Sequence, residues 1–327
     1  MDRVSHTMAR NGATTTTVVV VTAGVALCIG VLLWRKKSKA ASKKDGSAAA
    51  SQGTTKPIIL WAPPRSVSTA FERAVGEHSM VEVFHEHFAD PYYFGPDKFE
   101  AEPAAAANMK DALEASLLLR DSTYESQVAE ITTASKRPFA FSKELTIYYQ
   151  ATKMPEATMA KFTHCFLMRR PDKVMRSFWR VAQEGAEEGG SSSTYFNPDE
   201  AGFKELEALV HVATVQLGQP LILVDADDLL ADPAGVLEAW CAAVGLPWEA
   251  GITSWEACMP ETWKKWPGWH DDAATSTGFA PRKPKSAATS AKAAKPEDPE
   301  EVTAAILEAQ PIYDRLYEKR LRAAPKP

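Results

Sequence analysis

The chain has few cysteines, no glycosylation acceptor and no excess of basic charge, and each shortage removes a class of protein. Its four cysteines, Cys28, Cys165, Cys241 and Cys258, form no CxxC pair and no zinc-type spacing. Cys28 lies in an apolar N-terminal run, which leaves an odd three in the rest of the chain and points to a reducing compartment. Asn-x-Ser/Thr occurs nowhere, as suits a domain that never meets the glycosylation machinery. With 37 Lys+Arg against 42 Asp+Glu the net charge is −5, so no overall basic field recruits nucleic acid.

Charge is also missing locally. The 24 residues between Arg10 and Arg35 carry none, and as a helix this run would span about 36 Å, the reach of a bilayer crossing. A cleaved signal peptide is the competing reading, but the run is long and Arg35, Lys36, Lys37 and Lys39 follow at once. The sequence therefore predicts a tail over 1–13, a transmembrane anchor over 14–34 and a flexible basic tether over 35–56. Basic residues outnumber those before the span, which places the main domain on the cytosolic side of a single-pass membrane protein.

With 327 residues, 45% of them hydrophobic, the chain buries a full core as one large domain or two modest ones. The organising stretch is Pro57 to Ala74, PIILWAPPRSVSTAFERA. A β-prone run stops at Pro63-Pro64, passes Arg65-Ser66-Val67-Ser68-Thr69 and continues with helical periodicity through Phe71 and Ala74. A strand-turn-helix of this kind aims backbone N–H groups and a helix dipole at one spot, and Arg65, Ser66, Ser68 and Thr69 add donors there. It is an anion cradle, or else a plain first turn whose hydroxyls cap the helix.

Further apolar runs predict strands at 80–88, ending in His85-Glu86-His87, at 138–141, ending in Ser142-Lys143-Glu144, at 162–168, ending in Arg169-Arg170, and at 220–224, ending in Asp225-Ala226-Asp227-Asp228. Helical patterns occupy about 105–120, 123–135, Pro171 to about Val181, and 200–217, with an acidic Gly/Ser loop from Gln183 to Thr194. Asp232-Pro233 opens another helix and Gly245 closes it. This βα alternation predicts an α/β protein, a parallel sheet of about five strands flanked by helices on both faces, with its polar sets gathered at one edge. Trp255, Trp263, Trp266, Trp269 and His270 crowd a segment that reads as a packed cover or, more sharply, as a substrate wall. Residues 281–298 are low-complexity, and a last amphipathic helix over 299–322 docks by Ile306, Leu307, Ile312 and Leu316.

These residues carry a resemblance. Pro64-Arg65-Ser66-Val67-Ser68-Thr69 resembles the P-K-S-G-T-T phosphosulfate loop of sulfotransferases, and Arg169-Arg170-Pro171 with Ser177 resembles their R-N-P…S element, with the same eight-residue step. Eight residues carry the chain from a strand end through two helical turns, bringing Ser177 round to the face where Arg169 points. The resemblance covers about 57–250 and extends to 280, and it implies a three-layer P-loop-type domain. It also implies that Arg65, Ser66, Val67, Ser68, Thr69, Arg169 and Ser177 hold 3′-phosphoadenosine 5′-phosphosulfate as donor, without a metal. A sulfuryl group would pass to a hydroxyl or amine on a small-molecule or carbohydrate acceptor. Relatives acting on carbohydrate or protein place a carboxylate after the second strand, which Glu86 matches as general base, with His85 as its rival and Lys143 and Arg65 steadying the leaving phosphate oxygen.

The departures are specific. The usual lysine is Arg65, the usual glycine is Val67, and the tryptophan that often stacks on adenine is Ala70. A Walker A loop fits worse, since neither its glycines nor its lysine are present. The alternatives are a divergent nucleotide- or phosphate-binding protein of the same fold and a membrane-tethered scaffold. Anchored members of the resembled family face the Golgi lumen, the alternative to the cytosolic placement. Oligomeric state is not written in the sequence.

Overall fold

The computed structural model describes residues 55–96, 120–187, 196–265, 269–279 and 298–324. Their strands are β1 (Lys56–Ala62), β2 (Val81–His85), β3 (Phe139–Leu145), β4 (Thr163–Met168) and β5 (Leu223–Asp225), all parallel, in the order β2-β3-β1-β4-β5. The helices are α1 (Ser68–Gly76), α2 (Ala89–Tyr93), α3 (Tyr124–Thr133), α4 (Glu156–Met159), α5 (Pro171–Glu187), α6 (Phe203–His211), α7 (Ala226–Ala231), α8 (Pro233–Val244), α9 (Asp271–Ala274) and α10 (Glu300–Tyr317). The expected five-stranded parallel α/β sheet is therefore present.

Side chains alternate across the strands and seed a core on each face. Ile59 and Trp61 face one way with Phe166 and Met168, against α3, α5, α6 and α10. Ile58 and Leu60 face the other way with Phe141, Cys165 and Leu167, against α1 and α8. Three layers result, and because parallel strands need crossovers, every strand's C-terminal end opens at the same edge. From β1 the chain goes to β2 on one side of the sheet, and from β4 it goes to β5 on the other. The order of the strands thus reverses between β1 and β4, which is where a crevice forms at the carboxyl ends.

Several expectations shift in detail. Ser142, Lys143 and Glu144 lie inside β3 and are buried, because the strand runs on to Leu145. Helix α5 continues to Glu187, into the stretch predicted as a loop, and β5 forms over Leu223–Asp225, with Asp225 capping α7. In α10, Ile312 and Leu316 pack as expected, but Leu307 points to solvent and Val302, Ala305 and Tyr313 fill its place. Asp232 caps α8, and Gly245, at φ 74°, closes it as expected.

The predicted transmembrane helix needs correction. Among the described residues no helix is long and apolar enough to cross a membrane. The stretch 14–34 lies outside those residues, so the single-pass placement, the bilayer as a partner and the facing of the domain are withdrawn. The expected helix over 105–120 and the low-complexity 281–297 also lie outside them.

Glu144 holds the turn that leads out of β2. Its carboxylate accepts from the backbone N–H groups of His87 (2.9 Å) and Phe88 (3.1 Å) and from Ser142 Oγ–H (2.6 Å), with no solvent exposure. Replacing Glu144 by Ala strands buried donors, so E144A should lose about 3 kcal/mol of stability, read as a lowered urea midpoint.

Candidate active site

The turn after β1 is built on two residues in the left-handed region, Arg65 at φ 61° and Val67 at φ 73°. Ser66 Oγ–H donates to Pro63 O at 2.6 Å and closes the turn from within. Val67 then stands at the N-cap of α1 without a side-chain hydrogen bond, so no side chain at this position covers the first-turn N–H groups. Only glycine adopts such a φ freely, and a β-branched residue there is strained. Valine thus keeps the loop shape that the resembled family gives to glycine, at a cost in backbone energy.

The β1 and β4 ends meet at the strand-order reversal. Arg169 Nη1–H donates to Arg65 O at 3.0 Å, and Arg65 Nε–H donates to Ser177 Oγ at 3.2 Å. Arg65 thus stands between Arg169, which reaches its backbone, and Ser177, which its side chain reaches. The guanidinium of Arg65 is gripped from the other side by the C-terminal segment, through Trp269 O at 3.0 Å and Asp272 Oδ2 at 3.7 Å.

A second cluster sits at the ends of β2 and β3. In the sheet register His85 lies beside Lys143, and Glu86 turns out of β2 at φ 46°, its N–H donating to Lys143 O at 2.9 Å. The Lys143 ammonium, 1% exposed, pairs with the Glu86 carboxylate, and Tyr148 O–H donates to Glu86 Oε2 at 3.3 Å. Burial alone would raise the Glu86 pKa, but Lys143 first and then His85 and His270 outweigh it and hold the carboxyl at about 2. Burial pushes Glu144, the neighbouring carboxyl, up to about 8.

His85 turns its Nδ1 to Glu72, 2.7 Å from Oε2, and since a carboxylate only accepts, Nδ1 carries a hydrogen. Glu72, on α1, also accepts from Trp263 Nε1–H at 3.2 Å. Its burial would raise its pKa, yet His85, Lys143 and Trp263 together lower it. The His270 ring lies 5.0 Å from that of His85, and its Nδ1 is within 3.5 Å of Thr69 Oγ1 on the β1 loop. Burial, then Lys143, pushes His270 down to about 3, so it is neutral. Both His85 Nε2 and His270 Nε2 are buried without a hydrogen-bond partner.

Of the residues singled out in the sequence, Arg65, Arg169 and Ser177 converge, and His85, Glu86 and Lys143 converge beside them. Ser68 is buried at the start of α1, and Thr69 links the two groups through His270. Glu72, Tyr148 and the specific contacts of Trp263 and His270 were missed. Glu72 did leave a signal: with Ser68, Phe71 and Val75 it falls on the i, i+3, i+4, i+7 stripe that faces the core, where a carboxylate needs a partner. Trp263 and His270 are both buried and pack over α1 and the β1 loop through Glu72 and Thr69.

A family model described as a sulfotransferase domain matches residues 56–295. The chain is 26% identical over 224 residues to branched-chain-amino-acid aminotransferase-like protein 2 of Arabidopsis thaliana, covering 67% of this chain and 35% of that one. It is 28% identical over 130 residues to the aminotransferase-like protein 1 of the same plant, covering 39% and 21%. The chain thus spans about a third or less of the length of these relatives. Among solved structures it is similar to a sulfotransferase from Alicyclobacillus acidocaldarius (14% identity, TM-score 0.40, 67% and 93% covered). It is also similar to a sulfotransferase domain from the curacin biosynthetic pathway (18%, 0.36, 68% and 83%).

Two outcomes follow from the strain and the ion pair. V67G should raise stability by about 1 kcal/mol, because relief of a left-handed β-branched residue exceeds the chain entropy that glycine adds, and calorimetry would show a higher Tm. The Glu86 pKa falls from an ordinary 4.5 to about 2 on folding, so its contribution is complete above 4.5 and is lost as pH drops toward 2. Denaturant midpoints across that window should fall more steeply for the native chain than for E86Q.

Proposed function

The chain belongs to the sulfotransferase domain family, and from that premise we propose that it moves a sulfuryl group from 3′-phosphoadenosine 5′-phosphosulfate to a hydroxyl or amine of a small-molecule or carbohydrate acceptor. The observation that carries the donor half is the meeting of Arg65, Arg169 and Ser177 at the strand-order reversal. Arg169 and Ser177 take the 3′-phosphate. The N-terminus of α1, with Ser66, Val67, Ser68 and Thr69, takes the 5′-phosphosulfate, where backbone N–H groups and the helix dipole favour negative charge. Arg65 bridges the two halves.

For the base, the geometry favours His85 over Glu86. Glu86 is committed to Lys143 and Tyr148, and a carboxylate held near 2 is a weak proton acceptor. His85 instead presents a lone pair on Nε2, with its other nitrogen fixed by Glu72. As the acceptor oxygen attacks sulfur, its proton passes to Nε2, and the bond from sulfur to the 5′-phosphate oxygen breaks with its electron pair going to that oxygen. Glu72 stabilises the imidazolium so formed. Lys143 and Arg65 favour the charge that grows on the departing phosphate. Glu86 keeps Lys143 aimed.

Calorimetric titration with adenosine 3′,5′-bisphosphate tests the donor half: the native chain should bind, and R169A and S177A should each weaken binding about tenfold or more. Absence of binding to the native chain would overturn it. Release of that bisphosphate from the donor should slow by about 10²–10⁴ in H85A with its affinity unchanged. An intact rate in H85A would return the role to Glu86.

A further inference from the structure

Two buried imidazole nitrogens without a hydrogen-bond partner are costly, since each has given up water and received nothing in return. His85 Nε2 and His270 Nε2 come from opposite ends of the domain, one from the end of β2 and one from the segment that closes over the β1 loop. One ring nitrogen of each histidine and a carboxylate oxygen of Glu86 all lie within 4.8 Å of one another. We propose that these three residues form a site for a zinc-class divalent cation.

The chemistry of the donors fits that class. Two neutral imidazoles and a carboxylate are the borderline-soft and oxygen ligands that zinc takes, and three protein ligands leave a fourth position for water or an acceptor oxygen. His85 is already arranged as a ligand: its Nδ1–H is held by Glu72, the carboxylate-histidine pairing that fixes the tautomer and directs the other nitrogen at a metal. Glu72 is held in turn by Trp263. The opposing charge is Lys143, whose ammonium holds Glu86 Oε1, while Oε2 accepts from Tyr148 O–H at 3.3 Å.

Occupancy would take the Nε2 lone pair of His85 and so compete with proton transfer, and this consequence alone rests on the sulfotransferase reading. Binding does not, and it is tested separately. Cobalt(II) added to the purified full chain should bind in one equivalent, with the visible absorption of a four- or five-coordinate site, and zinc should displace it. H85A and H270A should abolish that absorption, E72Q should weaken affinity about 10–100-fold while leaving the three ligands in place, and H211A, an exposed residue at the end of α6, should change nothing. Thermal melts by circular dichroism check that each variant is folded. A spectrum that is absent from the native chain, or that survives in folded H85A and H270A because exposed Cys258 or surface histidines supply it, overturns the site.

Discussion

A lysine ammonium almost fully removed from water constrains everything around it. Lys143 sits inside the central part of the sheet, and a buried cation is tolerated only with a partner at hand. Glu86 is that partner, and to reach it the chain leaves β2 through a left-handed residue, φ 46°, that no glycine relieves. Glu144 then fixes the backbone beyond by accepting from His87 and Phe88. Burial, with Lys143 second, keeps the neighbouring imidazole of His270 uncharged, and with Glu86 taken, His85 turns to Glu72 on α1.

Strain gathers where this chemistry does. Among the described residues the non-glycine positions with positive φ are Arg65, Val67 and Glu86, two in the β1 loop and one at the end of β2. Each costs on the order of 1–2 kcal/mol and persists only because packing on both sides fixes it. For Val67 that packing is the core between β1, α1 and α8, against which its side chain rests. The loop is held in shape by the sheet below it rather than by the residue type within it, which is how a valine can stand at a left-handed position.

Much of this was legible in the sequence. Strand-forming runs, the Asp232 and Gly245 helix signals and the Arg169 to Ser177 step are local or periodic, and local rules reach them. Convergence at one edge followed from parallel strands alone. Glu72 escaped because a single carboxylate on a core stripe looks like an error of pattern until its partner, thirteen residues away on another element, is known. The length of β3 escaped because Ser142, Lys143 and Glu144 read as a polar terminus, whereas each finds a buried partner within the sheet edge. The membrane helix rested on hydropathy of 14–34 alone, and no helix among the described residues replaces it.

The C-terminal segment gives the site its last constraint. Trp269 and Asp272 occupy the Arg65 guanidinium, and Ser177 occupies its Nε. A phosphate that approaches Arg65 must therefore exchange these contacts for its own. Exchange is favourable where a doubly charged oxyanion replaces a neutral carbonyl and a half-exposed carboxylate. Releasing Trp269 and Asp272, however, loosens the same segment that carries His270 against Thr69 and Trp263 against Glu72. Arg65 is thus held by Trp269 and Asp272, the neighbours of the residue, His270, that reaches Thr69 on the β1 loop.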